Sequence, residues 1–391
     1  MQKKAKEIYM SYGVDTVCIH GNGKRKNVDN TGSISFPIYQ TAAYAHPGVG
    51  QSTGYDYTRV QNPTREEVER IMADLEHGTD AIAFSCGMAA VSAFMELLHP
   101  GDHIVATDDL YGGTIRQFRL INEKNGIKVT YVDTSDLEQV KAALQENTKL
   151  IYVETPTNPM MQVTDITEIS KIAKEKGCLL AVDNTFLTPY FQNPLDLGAD
   201  VVVHSATKYL EGHNDTLGGF LVTNREDISE GIRNVLKTTG AGPAPFDSWL
   251  VLRGIKTLSV RMEKHQANAL AIAQWLQNQP KVKEVRYIGL ENHPGREIIQ
   301  KQSRGYGGML TFRVDSKETV YRILEHVKVV QFAESLGGTE SLITYPMTQT
   351  HADVPEEKRK AKGIDETLLR MSVGIEDVHD LIADLEQAMN A

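Results

Sequence analysis

Ala199-Asp200-Val201-Val202-Val203-His204-Ser205-Ala206-Thr207-Lys208 is the stretch that decides the fold class. Its β-branched apolar run drives a buried strand. The run stops at Ser-Ala-Thr-Lys, which sets two hydroxyls and one amine just past the strand's end. Open α/β sheets take ligands outside the carboxyl ends of their strands. A lysine delivered there from an apolar strand is a candidate for a depressed pKa and a nucleophilic amine. A surface lysine opening a helix is the plain alternative, and the rest of the chain has to decide between them.

Working outward, strand-like and helix-like segments alternate. Asn62-Pro63 reads as the cap and first residue of a helix, with Val68, Ile71, Met72 and Leu75 on one face. Strands are expected at 80–86, 103–107, 127–133, 149–154 and 178–183, and helices at 87–98, 113–124, 136–146 and 166–176. This alternation predicts an α/β domain with a mostly parallel sheet wrapped by helices. The pattern changes near Pro243-Ala244-Pro245. A long helix with Leu258, Met262, Ala269, Ile272 and Leu276 in register then reads as a bridge between domains. Strands at 285–289, 308–314 and 329–333, with helical faces around Val320 and Leu385, predict a smaller α+β domain.

Residues 1–59 are too irregular for a core of their own, yet carry Ile34, Phe36, Ile38, Tyr39, Tyr44, Tyr55 and Tyr57. Such a stretch usually packs on something else, and an arm clasping a second subunit is one solution. The expected partition is an arm over 1–59, a large domain over 60–246 and a small domain over 247–391.

Totals narrow the function. The chain has 391 residues, with 41 Lys+Arg against 51 Asp+Glu, a net charge of −10. That balance argues against nucleic acid and for a small-molecule partner. Three cysteines far apart fit a reduced, cytoplasmic chain better than a disulfide framework. No apolar run reaches membrane-spanning length, and the charged start has no signal-peptide pattern.

Four features belong with Lys208. Asp183 ends the apolar run Leu179-Leu180-Ala181-Val182, and a carboxylate there either pairs with a lysine or holds a proton on a heterocyclic nitrogen. Ser85-Cys86-Gly87-Met88 is a strand-to-helix turn, and the N–H groups of the following helix form an anion site. Neither nucleotide spacing is present, neither the P-loop nor Gly-x-Gly-x-x-Gly after a strand. Tyr111, before Gly112-Gly113, is placed to lie flat on a planar ligand or simply to pack in its loop. Arg370 sits inside the apolar run Leu368-Leu369-Arg370-Met371 and needs a partner, most fittingly a carboxylate from the protein or a substrate. His204 and His213 form no ligand set with nearby carboxylates, so no metal is expected, and His204 reads as a hydrogen-bonded core histidine.

Taken together, these motifs resemble the trans-sulfuration family of pyridoxal 5'-phosphate (PLP) enzymes over nearly the whole chain. Tyr55-Asp56-Tyr57-Thr58-Arg59-Val60-Gln61-Asn62-Pro63-Thr64-Arg65, Glu154-Thr155-Pro156-Thr157-Asn158-Pro159, Asp183-Asn184-Thr185-Phe186 and Ala333-Glu334-Ser335-Leu336-Gly337-Gly338 carry the likeness, in order. Within the family, Gln51-Ser52-Thr53-Gly54-Tyr55-Asp56-Tyr57 and Leu342-Ile343-Thr344-Tyr345-Pro346-Met347-Thr348-Gln349-Thr350-His351-Ala352-Asp353 look most like cystathionine β-lyases of Gram-positive bacteria.

The resemblance implies the aspartate aminotransferase-like fold (fold type I) and PLP as cofactor. Lys208 would hold the cofactor and, once released by substrate, move the proton. Asp183 would hold the pyridinium proton and Tyr111 would stack on the ring. Gly87, Met88, Ser205 and Thr207 would bind the phosphate. Tyr57 and Arg59 would reach the phosphate of a neighbouring subunit, in a homotetramer built as a dimer of active dimers. Arg370, Ser335 and Asn158 would fix the substrate carboxylate. Glu334 would contact the distal amino group of cystathionine or face solvent. The implied reaction is β-elimination of cystathionine to homocysteine, pyruvate and ammonia. A γ-lyase giving cysteine and 2-oxobutyrate, or a γ-synthase joining cysteine to an activated homoserine, remains open. Gly113 stands where methionine γ-lyases carry cysteine, and Cys86 where many relatives carry serine.

Overall fold

The computed structural model describes residues 12–23, 31–349, 357, 359 and 362–391. The charged start at 1–7 and the Thr350-His351-Ala352-Asp353 end of the Leu342 motif lie outside them.

The large sheet has seven strands in the order β1-β7-β6-β5-β4-β2-β3. They are β1 (Asp80–Phe84), β2 (His103–Thr107), β3 (Lys128–Val132), β4 (Thr148–Glu154), β5 (Leu179–Asp183), β6 (Val201–Ser205) and β7 (Gly219–Thr223). The β3-β2-β4-β5-β6 run is parallel, as the alternation predicts. β7 runs antiparallel between β6 and β1. This strand has no counterpart in the sequence reading, because Gly218-Gly219 reads as a turn and Phe220-Leu221-Val222 is a short run without periodicity. One consequence matters for function. The carboxyl ends of β1, β2, β4, β5 and β6 all open on one edge of the sheet.

The small sheet is β10-β11-β12-β9-β8. Its strands are β8 (Val282–Arg286), β9 (Met309–Val314), β10 (Gln331–Phe332), β11 (Leu342–Thr344) and β12 (Leu368–Ser372). β8 begins three residues earlier than the periodicity implies, and β10 is shorter, since only two residues pair with β11. The expected single helix after Pro245 is two, Pro245–Ile255 and Leu258–Leu276. The second bridges two cores: Leu258 and Met262 pack under the large sheet, and Ala269, Ile272 and Leu276 under the small one.

Local rules explain the rest. The Pro63–Glu76 helix starts as expected, with Asn62 capping Thr64 N at 2.9 Å and Pro63 first in the helix. The helix expected at 113–124 spans Gly112–Gln117 and continues as one π turn, Phe118–Asn122. The extra residue in that turn goes with burial of Phe118, edge-on to the Tyr152 ring at 5.6 Å, and of Asn122, which accepts from Gln117 Nε2. From the first 59 residues, Val17, Cys18 and Phe36 enter the large-sheet core, whereas Ile34, Val49 and Tyr57 stay exposed.

Candidate active site

A cavity of about 390 Å³ opens at the carboxyl edge of the large sheet. It is lined by Gly87, Met88, Tyr111, Glu154, Asn158, Asp183, Thr185, Ser205, Thr207, Lys208, Glu334, Ser335 and Arg370, among others. Eleven of the thirteen residues predicted for the site are therefore brought together. The two that are not, Tyr57 and Arg59, lie on the surface, where Arg59 donates to Lys237 O and sits over the Tyr57 ring at 5.5 Å. A larger cleft of about 710 Å³, between β8 and the 160–163 loop, gathers none of the predicted residues.

Lys208 leaves the end of β6 and turns inward, its Nζ donating to Ser335 Oγ at 3.0 Å. Burial, aided by the positive charge of Arg370 and opposed by Glu334, pulls the amine down to about 8. A substantial neutral fraction near physiological pH follows, which a nucleophile or base requires.

Asp183 ends β5 in direct register with Glu154 at the end of β4. Burial raises the Asp183 carboxyl, against hydrogen bonds from the Thr185 hydroxyl and from Thr185 N at 3.0 Å. Glu154 is pushed well up, first by burial and then by the Asp183 charge, and its Oε2 accepts from Tyr111 N at 2.8 Å. Burial thus makes both acids harder to ionise than an exposed carboxyl, and each disfavours the charge of the other.

Glu154 and Thr185 have no assigned role in the sequence reading. The available signal is the apolar run Leu150-Ile151-Tyr152-Val153 ending in a carboxylate, the same pattern that singles out Asp183. Asp109 has no role in that reading either. It is buried, accepts from Thr157 Oγ1 and from Met160 N at 3.1 Å, and so anchors the loop that carries Asn158.

Arg370, on β12, reaches the cavity from the small sheet. Its Nη1 donates to Asn158 Oδ1 at 2.9 Å, and its Nη2 to Ser335 O and Thr344 Oγ1, each at 3.1 Å. Among the described residues none of its hydrogen-bond partners is an acid, and its Nε is buried without a partner. Burial lowers its pKa to about 10, so it stays charged and open to a carboxylate. Ser335, which ties Arg370 to Lys208, has φ 130°, a conformation that side chains rarely adopt and that clusters at functional sites.

The Gly87–Met95 helix points its amino end at the same space. Its first N–H groups have no partner inside the helix. A side chain at Gly87 would stand 2.8 Å from Ser205 Cβ, so glycine is what lets this end approach β6. A side chain at Gly113 would stand 2.4 Å from Tyr111 Cε1. The Thr207 hydroxyl is engaged with Gly218, donating to its O at 3.3 Å and accepting from its N at 3.1 Å. Cys86 Sγ caps Ala89 N at 3.4 Å. His204 points to the other face of β6, where Glu76 Oε1 holds its Nε2 at 2.6 Å. An amine, a buried acid, a helix amino end, an aromatic and an arginine with no acid among its hydrogen-bond partners in one cavity fit a phosphorylated heterocyclic aldehyde and an amino acid.

Known proteins agree. The family model for Cys/Met metabolism PLP-dependent enzymes matches residues 15–390. A cystathionine gamma-lyase of Bacillus subtilis (strain 168) is 50% identical over 376 residues, covering 96% of this chain and 98% of that protein. A cystathionine gamma-synthase of Haemophilus influenzae is 48% identical and a cystathionine beta-lyase of Lactococcus lactis subsp. cremoris 47%, both with the same coverage. The crystal structure of cystathionine gamma-lyase from Lactobacillus plantarum complexed with L-serine superposes with a TM-score of 0.93 at 42% identity, over 97% of this chain and 99% of that one. By the family model and by relatives matched over nearly its whole length, the chain belongs to the Cys/Met metabolism family of PLP-dependent enzymes, and its chemistry is that of a trans-sulfuration enzyme.

Proposed function

We propose that the chain cleaves cystathionine by β-elimination, releasing homocysteine, pyruvate and ammonia. PLP, when bound, draws electrons from the substrate's Cα and makes the proton there acidic. The Lys208 amine is the group that takes that proton. Arg370, steadied by Asn158 and Ser335, holds the α-carboxylate and so sets which Cα substituent faces Lys208. Asp183 keeps a proton on the ring nitrogen, and Tyr111 covers the ring. Gly87, Met88, Ser205 and Thr207 hold the phosphate, joined by Tyr57 and Arg59 from a second copy, an exchange that suits a homotetramer of paired active sites. Glu334, in the cavity wall, suits the distal ammonium of cystathionine.

The observation that favours β-elimination is the likeness of residues 51–57 and 342–353 to the cystathionine β-lyases of Gram-positive bacteria; Lys208, the only amine among the described residues lining the cavity, serves either route. The β route asks it to remove one proton, from Cα. The γ route asks it to remove a second, from Cβ. Gamma-elimination is the second reading, favoured by the 50% identity to a relative of that name. The small soluble substrate, and the lack among the described residues of any helix long and apolar enough to cross a membrane, suit work in the cytoplasm. Incubating the holoenzyme with cystathionine and identifying the oxo acid is the test. Pyruvate supports the β reading; 2-oxobutyrate overturns it. Adding cysteine with O-acetylhomoserine or O-succinylhomoserine tests synthesis.

A further inference from the structure

Arg65 occupies the first turn of the Pro63–Glu76 helix, where the helix dipole disfavours a cation. It is 3% exposed, and burial lowers its pKa. Its guanidinium serves the arm rather than the cavity. Nη1 donates to Thr58 O at 3.1 Å and Nη2 to Val60 O at 2.6 Å, the carbonyls on either side of Arg59. Val60 N and Gln61 N close the same turn on Tyr57 O, at 2.9 and 3.0 Å.

Behind Arg65 stands Glu69, one helical turn on, 3.6 Å from its Nε. Glu69 in turn accepts from Ala83 N at 2.9 Å and pairs with Arg233 at 3.4 Å. Arg233 pairs with Asp80 at the start of β1. The turn that displays Tyr57 and Arg59 is thus tied by a buried charge chain to the large sheet. A turn outside any sheet or helix keeps one conformation only when its polar groups are tied in this way. A cation buried against the local dipole is the kind of local-rule violation that marks a functional constraint.

We propose that Arg65, backed by Glu69, is a positioning residue that holds Tyr57 and Arg59 in place for the cofactor phosphate of a second copy. The inference rests on the reading of Tyr57 and Arg59 given above. Tyr57 is 45% exposed, and neither residue is among those lining the cavity of its own chain, as that reading requires. Arg65→Lys keeps the charge and loses the fork that grips two carbonyls.

The test uses full-length apoenzyme titrated with PLP and, separately, with pyridoxal, which lacks the phosphate. Arg65→Lys is expected to weaken PLP binding by at least about tenfold, the equivalent of one charge-assisted hydrogen bond, and to leave pyridoxal binding within about twofold. The triple variant Tyr57→Phe/Arg59→Ala/Arg65→Lys is expected to bind PLP no more weakly than Tyr57→Phe/Arg59→Ala. Equal weakening toward both ligands, wild-type PLP affinity, or a further loss in the triple variant would each overturn the inference. If Arg59→Ala itself leaves PLP affinity unchanged, the reading of the arm fails, and this inference with it. If Arg59→Ala weakens PLP binding and Arg65→Lys does not, only this inference fails. Should Arg65→Lys not fold, Glu69→Gln must show the same selectivity for the phosphate, and its absence there overturns the proposal.

Discussion

Replacing Gly87 by alanine puts a methyl group 2.8 Å from Ser205 Cβ and 3.0 Å from Ser205 Cα. Carbon atoms in good contact sit about 3.5 Å apart or more, so the helix start has to retreat by roughly 0.7 Å. Ser205 gives little, because it ends a buried strand paired with Gly219. Gly219 in turn lies so close that a side chain there would stand 2.3 Å from Cys86 O. The Cys86-Gly87 turn is therefore wedged on two sides, and the retreat carries the helix N–H groups away from the cavity. Overpacking of this kind costs about 1–3 kcal/mol of stability. Alanine's better helix propensity returns up to about 1 kcal/mol, with or without ligand, and so cancels from the affinity. The phosphate contact is the larger loss. A hydrogen bond to a charged group contributes about 1.5–3 kcal/mol, so losing one weakens PLP binding by roughly 10- to 100-fold. Spectrophotometric titration of the apoenzyme, with pyridoxal as the control without phosphate, measures this directly. A folded Gly87→Ala protein with wild-type PLP affinity would refute the assignment of this helix end to the phosphate.

Three further outcomes are expected. Lys208→Ala should abolish turnover and the visible absorbance of the lysine-bound cofactor; in the wild type, the rate of reconstitution from apoenzyme and PLP should rise with pH and level off above about 8, since only the neutral amine attacks and this amine is held down to about 8. A rate still climbing past pH 10 would mean an unperturbed lysine. Arg370→Lys loses hydrogen bonds to Asn158, Ser335 and Thr344 and the fork that matches a carboxylate, and should lower kcat/KM by about 100-fold, chiefly through KM; an unchanged KM would remove Arg370 from carboxylate binding. Glu76→Ala strips the acceptor from His204 Nε2 at 2.6 Å and Asn184 Nδ2 at 2.8 Å, all buried, and at about 1–3 kcal/mol for each donor left unpaired should cost about 2–6 kcal/mol in urea unfolding, with Glu76→Gln milder. A loss under about 1 kcal/mol would show that the network relaxes around the gap.

Much of the site is legible in the sequence, for a local reason. An apolar run that ends in a carboxylate or an amine announces a strand-end functional group, and both Asp183 and Lys208 follow that rule. Arg370 is legible as a charge inside an apolar run. Glu154 obeys the same rule as Asp183 yet has no readable role, because its meaning depends on the β4–β5 register that sets it beside Asp183. β7 is not legible, because a short unbroken apolar run after two glycines has no period to read.

The sequence by itself determined the inventory: the alternation of strands and helices, the groups presented at strand ends, and the family. These are properties of neighbours along the chain, which periodicity and motif order report. The tertiary structure alone decided which members of that inventory meet. Lys208 reaches Ser335 across 127 residues and Arg370 reaches Asn158 across 212, because strand order brings two sheets to one cavity. It also decided that Arg370 hydrogen-bonds to no acid among the described residues and that Arg65 grips the arm. Such contacts depend on register and burial, and burial is what lowers the Lys208 amine and raises the Glu154 and Asp183 carboxyls.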